Sequence, residues 1–344
     1  MSAGTSRMAK QHVIVRKLNA LEALGGVTDV CSDKTGTLTQ GKMVVRKLWI
    51  ASGRVGRDEK IAGDSNVGNG SRTFDVEAGA EALRPEGRVF EKLGDEEKIV
   101  RPGSLDEGLR ALVESASLCN VATISQNKEG VWKSTGDPTE VALQVLAHKL
   151  QLGRPKLARV QSEDEEGDEE REKKDGRRYK LLTEFPFDSE LKRMSTVYAD
   201  RERPENLILL KGAIENVLAA STTCLASPTS AIEDAVPLTD ALRAATLAQT
   251  ESLAAQGLRV LALSARRASP PASGAPSRED TEQNMTFLGL AGIYDPPRPE
   301  SRDAVRACRA AGITATMLQP LRPLRVKSRL SGLMRLWVER KAKS

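Results

Sequence analysis

Val27-Thr28-Asp29-Val30-Cys31-Ser32-Asp33-Lys34-Thr35-Gly36-Thr37-Leu38-Thr39 decides how this 344-residue chain is read. Val27–Ser32 alternates as a short buried strand does. Asp33–Thr39, DKTGTLT, follows at once as a polar turn. A carboxylate at the carboxyl end of a parallel strand lies where open α/β sheets bind their ligands. Gly36 permits a tight turn, and backbone amides exposed by such a turn can cradle a phosphate. The hydroxyls of Thr35, Thr37 and Thr39 add donors. An aspartate held there can attack a phosphoryl group and form an aspartyl-phosphate. A magnesium ion between carboxylate and phosphate would offset their repulsion. The fold class expected from this stretch is α/β.

Working outward, the chain is long enough for two domains. It is 39% hydrophobic and 29% charged, which suits a packed core and not wholesale disorder. Aromatic residues make up only 3%, which argues against a carbohydrate platform or a base-stacking surface. No stretch approaches the roughly 18–20 apolar residues of a membrane span, and no signal peptide opens the chain. The net charge of +5 comes from the end of the sequence. Residues 319–344 hold eight basic residues against Glu339, which leaves 1–318 slightly acidic. Nucleic acid is therefore not an expected partner. Cys31, Cys119, Cys224 and Cys308 are scattered, and only His12 and His148 could join them, so no zinc site is expected.

Residues 51–103 are Gly-rich and charged, and read as loops and short elements. Ser104–Glu107 reads as a capping box opening a helix over 105–118. Asp137 and Pro138 are favoured start residues for a second helix, with Val141, Val145, Leu146 and Leu150 on its apolar face. Glu163–Lys174 reads as a solvated charged loop. Strand-like runs follow at Tyr179–Glu184, Met194–Ala199, Asn206–Leu210 and Leu258–Ser264. Residues 268–277 are linker-like, Met285–Tyr294 is a buried-strand candidate, and 299–311 reads as a helix stopped by Gly312 before a strand at 313–318.

DKTGTLT resembles the phosphorylation motif of P-type ATPases. The wider stretch Lys17–Met43, KLNALEALGGVTDVCSDKTGTLTQGKM, is most similar to the fungal sodium/potassium export branch. The resemblance implies an incomplete haloacid-dehalogenase-like (Rossmann-like) P domain interrupted by an α+β nucleotide-binding N domain. Residues 1–26 would be a lead-in following an absent fourth transmembrane helix. Residues 27–44 and 285–318 would be the two parts of the P domain, the second truncated. Residues 45–284 would be the N domain, with a disordered acidic loop at about 161–175, and 319–344 a non-homologous basic tail. Related phosphatases place a second aspartate two residues after the nucleophile; Thr35 stands there, as in the pumps, and argues against a soluble phosphatase.

The same resemblance implies the site. Asp33, with Lys34 and Thr35, would be catalytic, and Asp33 and the Thr35 carbonyl would ligate Mg2+. Glu140 (in GDPTEVAL) would reach the adenine of ATP and Phe187 (in FPFDSELKRMS) would stack on it. Lys192 would lie near the phosphates. Lys211 and Gly212 match the KGA motif, Arg259 a phosphate-chain arginine, and Asp295 and Arg298 the DPPR hinge. The family often carries an arginine between Phe187 and Lys192; this chain has Asp188, Ser189, Glu190 and Leu191. After Gly312–Leu318 the family continues into TGD, whereas this chain reads Gln319-Pro320-Leu321, and no GDGxND segment occurs.

The expectation is thus a catalytic fragment of a P-type ATPase that couples ATP hydrolysis to monovalent cation transport in full-length relatives. Alone, the chain is expected not to turn over, leaving a nucleotide-binding module as the alternative. Full-length relatives would lie in the plasma membrane, and this chain would be cytoplasmic. Leu330, Leu333, Met334 and Trp337 stand at helical spacing among basic residues, but the tail is read as a fortuitous extension without membrane contact.

Overall fold

The computed structural model describes residues 8–10, 13–14, 23, 25–53, 70–79, 81–159, 176–270 and 276–318. The acidic run at 161–175 and the tail at 319–344 lie outside them. The chain forms two compact units, Met1–Leu38 with Arg298–Ser344, and Thr39–Pro297. These differ from the boundaries expected at 44/45 and 284/285. The reason is Met285–Tyr294, which pairs with Val44–Ile50 on one side and Arg259–Ala268 on the other, and so belongs to the larger unit.

The larger unit is mixed α/β and built on one broad sheet. From one edge its strands run Glu96–Val100, Val89–Leu93, Arg72–Val76, Val44–Ile50, Met285–Tyr294, Arg259–Ala268, Asn206–Gly212, Arg193–Asp200, Tyr179–Asp188 and Ala158–Arg159. Neighbours are antiparallel except the last pair. Ser221–Leu225 joins parallel to the start of Met285–Tyr294.

Both faces of this sheet are covered, which explains why its central strands read as unbroken apolar runs. Successive side chains point to opposite faces. Leu207, Leu209, Leu263 and Ala291 pack with helices Glu107–Leu118 and Pro138–Lys149. Ile208, Leu210, Ala262 and Leu290 pack with helices Ile214–Ala220 and Asp240–Ala255. The strands at 72–100, expected only as short elements, form one end of the sheet and are rich in charge.

The first long helix begins later than the capping-box reading placed it. Its N-cap is Asp106, whose side chain accepts from Leu109 N at 2.9 Å. Ser104 belongs to a preceding turn and its Oγ donates to Arg101 O. At Asp137 the expected cap is present, accepting from Thr139 N at 2.8 Å with Pro138 next.

Asp200 ties one end of the sheet together. Its side chain is fully buried, 0% exposed. Arg178 donates to both carboxylate oxygens at 2.8 Å, and Arg267 Nη1 donates to Oδ2 at 2.9 Å. Burial opposes the charge, yet hydrogen bonds from these guanidinium groups outweigh it and hold the carboxyl below its ordinary range. A depressed carboxylate contributes stability that is complete above the unfolded value of about 3.9 and is lost as pH falls through the folded value. Urea midpoints of the chain are therefore expected to fall more steeply below pH 4 than those of Asp200→Asn, with a constant gap above pH 5. Parallel curves across that range would refute the assignment.

In the smaller unit, Asp29–Asp33 pairs parallel with Thr314–Leu318, in register from Asp29 and Thr314 to Asp33 and Leu318. Helix Pro299–Ala310 precedes the second strand and packs on it. The first strand is not buried as expected; four of its five residues are exposed. A parallel pair hides its faces only beneath covering layers, and the helix buries none of its own residues here. The turn after Asp33 is a single π-helical turn, Lys34–Leu38, with Gly36 at φ +76°, a backbone region that favours glycine.

Candidate functional site

A cavity of about 310 Å³ opens in the larger unit where the Pro138–Lys149 helix starts beside four neighbouring strands. Asp137 and Pro138 start that helix, which places Thr139 and Glu140 at the cavity wall. Lys211 and Gly212 end the Asn206–Gly212 strand, and Arg259 begins the antiparallel strand beside it. Phe187 stands near the end of Tyr179–Asp188, is 60% exposed as a residue and lines the cavity. Val121, Met194 and Leu261 supply apolar lining.

The polar groups are held by one another. Lys211, 5% exposed, donates from Nζ to Glu140 Oε1 and to Cys119 O, both at 2.5 Å. Glu140 Oε2 accepts from Val121 N at 3.2 Å. Arg259 Nη1 donates to Thr139 Oγ1 at 3.2 Å. Asn120 went unnoticed in the sequence. It is fully buried and donates to Ala116 O and Glu140 O, which locks the end of one helix to the start of the next. Arg154 in turn donates to Asn120 O. A polar residue closing the Glu107–Leu118 helix was the only signal for Asn120, and Arg154 had none.

Glu140, Phe187, Lys211, Gly212 and Arg259 thus meet at one cavity. Lys192 does not line it; it is exposed at the turn before Arg193–Asp200, with φ +49°. Gly212 has a steric reason to be glycine. A Cβ there would lie 2.4 Å from Lys192 O and 2.8 Å from Arg193 Cα. Asp295 accepts from Thr39 Oγ1 at 2.6 Å and from Gly41 N at 3.1 Å, so it clamps one end of the larger unit. Asp33, Lys34 and Thr35 lie in the smaller unit, where Asp33 is exposed. Arg298 donates to Gly36 O at 2.9 Å and fixes the turn after Asp33. Among the described residues no three His, Cys, Asp or Glu side chains gather as a metal site. Asp33 offers one exposed carboxylate, and magnesium is usually bound through one or two carboxylates together with waters and substrate phosphates.

Residues 108–300 match the family model described as P-type ATPase, cytoplasmic domain N. The chain belongs to the P-type ATPase family. This P-type ATPase chain is 37% identical over 321 residues to the sodium/potassium exporting P-type ATPase cta3 of Schizosaccharomyces pombe, covering 92% of the chain and 27% of that protein. It is 34% identical over 348 residues to the sodium/potassium exporting P-type ATPase 1 of Saccharomyces cerevisiae, covering 92% of the chain and 31% of that protein. It is also 34% identical over 319 residues to the calcium-transporting ATPase of Bacillus subtilis, covering 92% and 30%. The chain therefore spans less than a third of the length of these relatives. Among its described residues no helix is long and apolar enough to cross a membrane.

Proposed function

We propose that this chain is the cytoplasmic catalytic portion of a cation-transporting P-type ATPase, and that the cavity beside Phe187 holds the adenine end of ATP. One observation carries this reading: an exposed aromatic face stands over apolar walls, with Lys211, Glu140 and Arg259 at the same cavity. A flat heteroaromatic base stacks on Phe187, Glu140 accepts from its amino group, and the cations of Lys211 and Arg259 favour a phosphate tail. Residues 27–38 and 298–318 would form part of the phosphorylation domain. An Asp33 carboxylate oxygen attacks the γ-phosphorus of ATP and forms an acyl-phosphate bond. The bond from that phosphorus to the β–γ bridging oxygen breaks, and ADP leaves with the electron pair. In the whole protein this cycle would drive cation movement, and the fungal relatives favour a monovalent ion.

The nucleotide cavity lies wholly within Thr39–Pro297, so the chain alone is expected to bind ATP without steady turnover. Calorimetric titration of the intact chain with ATP tests the reading. Phe187→Ala is expected to weaken binding about tenfold, since stacking of one base on an aromatic ring contributes about 1–3 kcal/mol. No binding by the chain, or equal binding by Phe187→Ala, would overturn it.

A further inference from the structure

We propose that Arg278 is a positioning residue for nucleotide binding, clamping the hairpin that presents Phe187; this rests on the reading of the cavity given above. Phe187 is 60% exposed, so packing of its own ring does not hold it in place. Its backbone is held from outside. Arg278 Nη2 donates to Pro186 O at 2.8 Å and to Arg193 O at 3.1 Å. Those two carbonyls flank the turn between strands Tyr179–Asp188 and Arg193–Asp200. The Pro186 carbonyl belongs to the peptide unit whose nitrogen is that of Phe187. Fixing this plane fixes where the ring departs from the strand.

Arg278 is itself anchored. Its Nε donates to Glu282 Oε1 at 2.8 Å, and its guanidinium lies 6.0 Å from the centre of the Phe185 ring. Glu282 is fully buried and also accepts from Ser195 Oγ at 2.8 Å and from Arg193 Nε at 2.5 Å. A buried carboxylate with three donors is a rigid post, because breaking any one leaves charge unsatisfied. Arg278 thus joins a post on the 278–282 segment to the hairpin 85 to 92 residues earlier in the chain. Arginine suits the task because its planar fork reaches two carbonyls and a carboxylate at once; a lysine ammonium at the same stem cannot span them. Asp188, Ser189, Glu190 and Leu191 run from the end of one strand through the turn to the next. Asp188 accepts from Glu190 N and Leu191 N, which shapes the turn locally but leaves Pro186 to Arg278.

If the clamp is lost, the ring remains but samples other positions and must be ordered when ATP binds. Arg278→Ala in the intact chain is expected to weaken ATP binding about fivefold, the cost of ordering one freed side chain and its backbone. Because the clamp acts through Phe187, the double variant Arg278→Ala/Phe187→Ala should bind no more weakly than Phe187→Ala alone. A merely structural role would instead give additive losses. If Arg278→Ala gives no cooperative thermal transition, Arg278→Lys replaces it in the same cycle, with a loss of at least about twofold and the same non-additivity expected. Losses that add, or an arginine variant that folds and binds as the unaltered chain does while Phe187→Ala is weakened, would overturn this proposal alone. Absent ATP binding, or an unaffected Phe187→Ala, would remove the nucleotide reading and this proposal with it.

Discussion

Lys211→Met is expected to lose about 3–5 kcal/mol of unfolding free energy, because it strips the partner from a buried charge. Glu140 is 9% exposed, and its two oxygens are satisfied by Lys211 Nζ and Val121 N. Without the ammonium, one carboxylate oxygen and the Cys119 carbonyl both lose their donor. Methionine keeps most of the stem's volume, so packing loss is not the main cost. Replacing both members of the pair, Lys211→Met with Glu140→Leu, should recover much of the loss, since an apolar pair of similar volume often matches a buried ion pair. Neither variant should bind ATP measurably. Urea denaturation with a shared slope separates the outcomes. A single variant that loses under about 1 kcal/mol would show that the pair is solvated.

Gly212→Ala is expected to be nearly as damaging and for a different reason. Gly212 pairs with Arg193 across the antiparallel ladder, and the Lys192 carbonyl leans over it to accept from Ala213 N at 2.9 Å. The added methyl group would meet backbone atoms at 2.4 and 2.8 Å, and backbone held by ladder bonds on both sides does not step aside. Forced overpacking of this kind costs about 1–3 kcal/mol, and more where backbone must shift. The shift would pass to the hairpin carrying Phe187, so ATP affinity should fall together with stability. A variant with an unchanged denaturation midpoint would show that the strands separate freely.

Much of this architecture was legible in the sequence because burial on both faces writes itself as long apolar runs. Leu207–Leu210 and Phe287–Ile293 are such runs, and both are central strands. The Asp137-Pro138 pair read correctly because capping is local chemistry. The strands between Arg72 and Val100 were not legible. They stand at one end of the sheet, where strands carry charges such as Lys92, Glu96 and Glu97 that mask the alternation. Ser104 and Asp106 both suited a cap, and only the observed backbone distinguishes them. The Asp29–Asp33 strand alternates like a buried one, but burial depends on what covers it.

The site divides in the same way. Glu140, Phe187, Lys211, Gly212 and Arg259 come from four separate elements and meet at one cavity. Resemblance pointed to each of them, while their spacing alone did not bring them together. Arg278 was invisible because its partners on the hairpin lie far along the chain. Asp295 and Arg298 carry hinge motifs in sequence and clamp local backbone in the structure.

The central claim is that adenine sits on Phe187 in the cavity walled by Met194 and Leu261. Intermolecular nuclear Overhauser effects between ATP and the intact chain test it most directly. The account predicts contacts from adenine H2 and H8 to the Phe187 ring and to the Met194 and Leu261 methyl groups. Contacts instead to the polar pocket between Arg110 and Arg267, or shifts with no contact to Phe187, would contradict it.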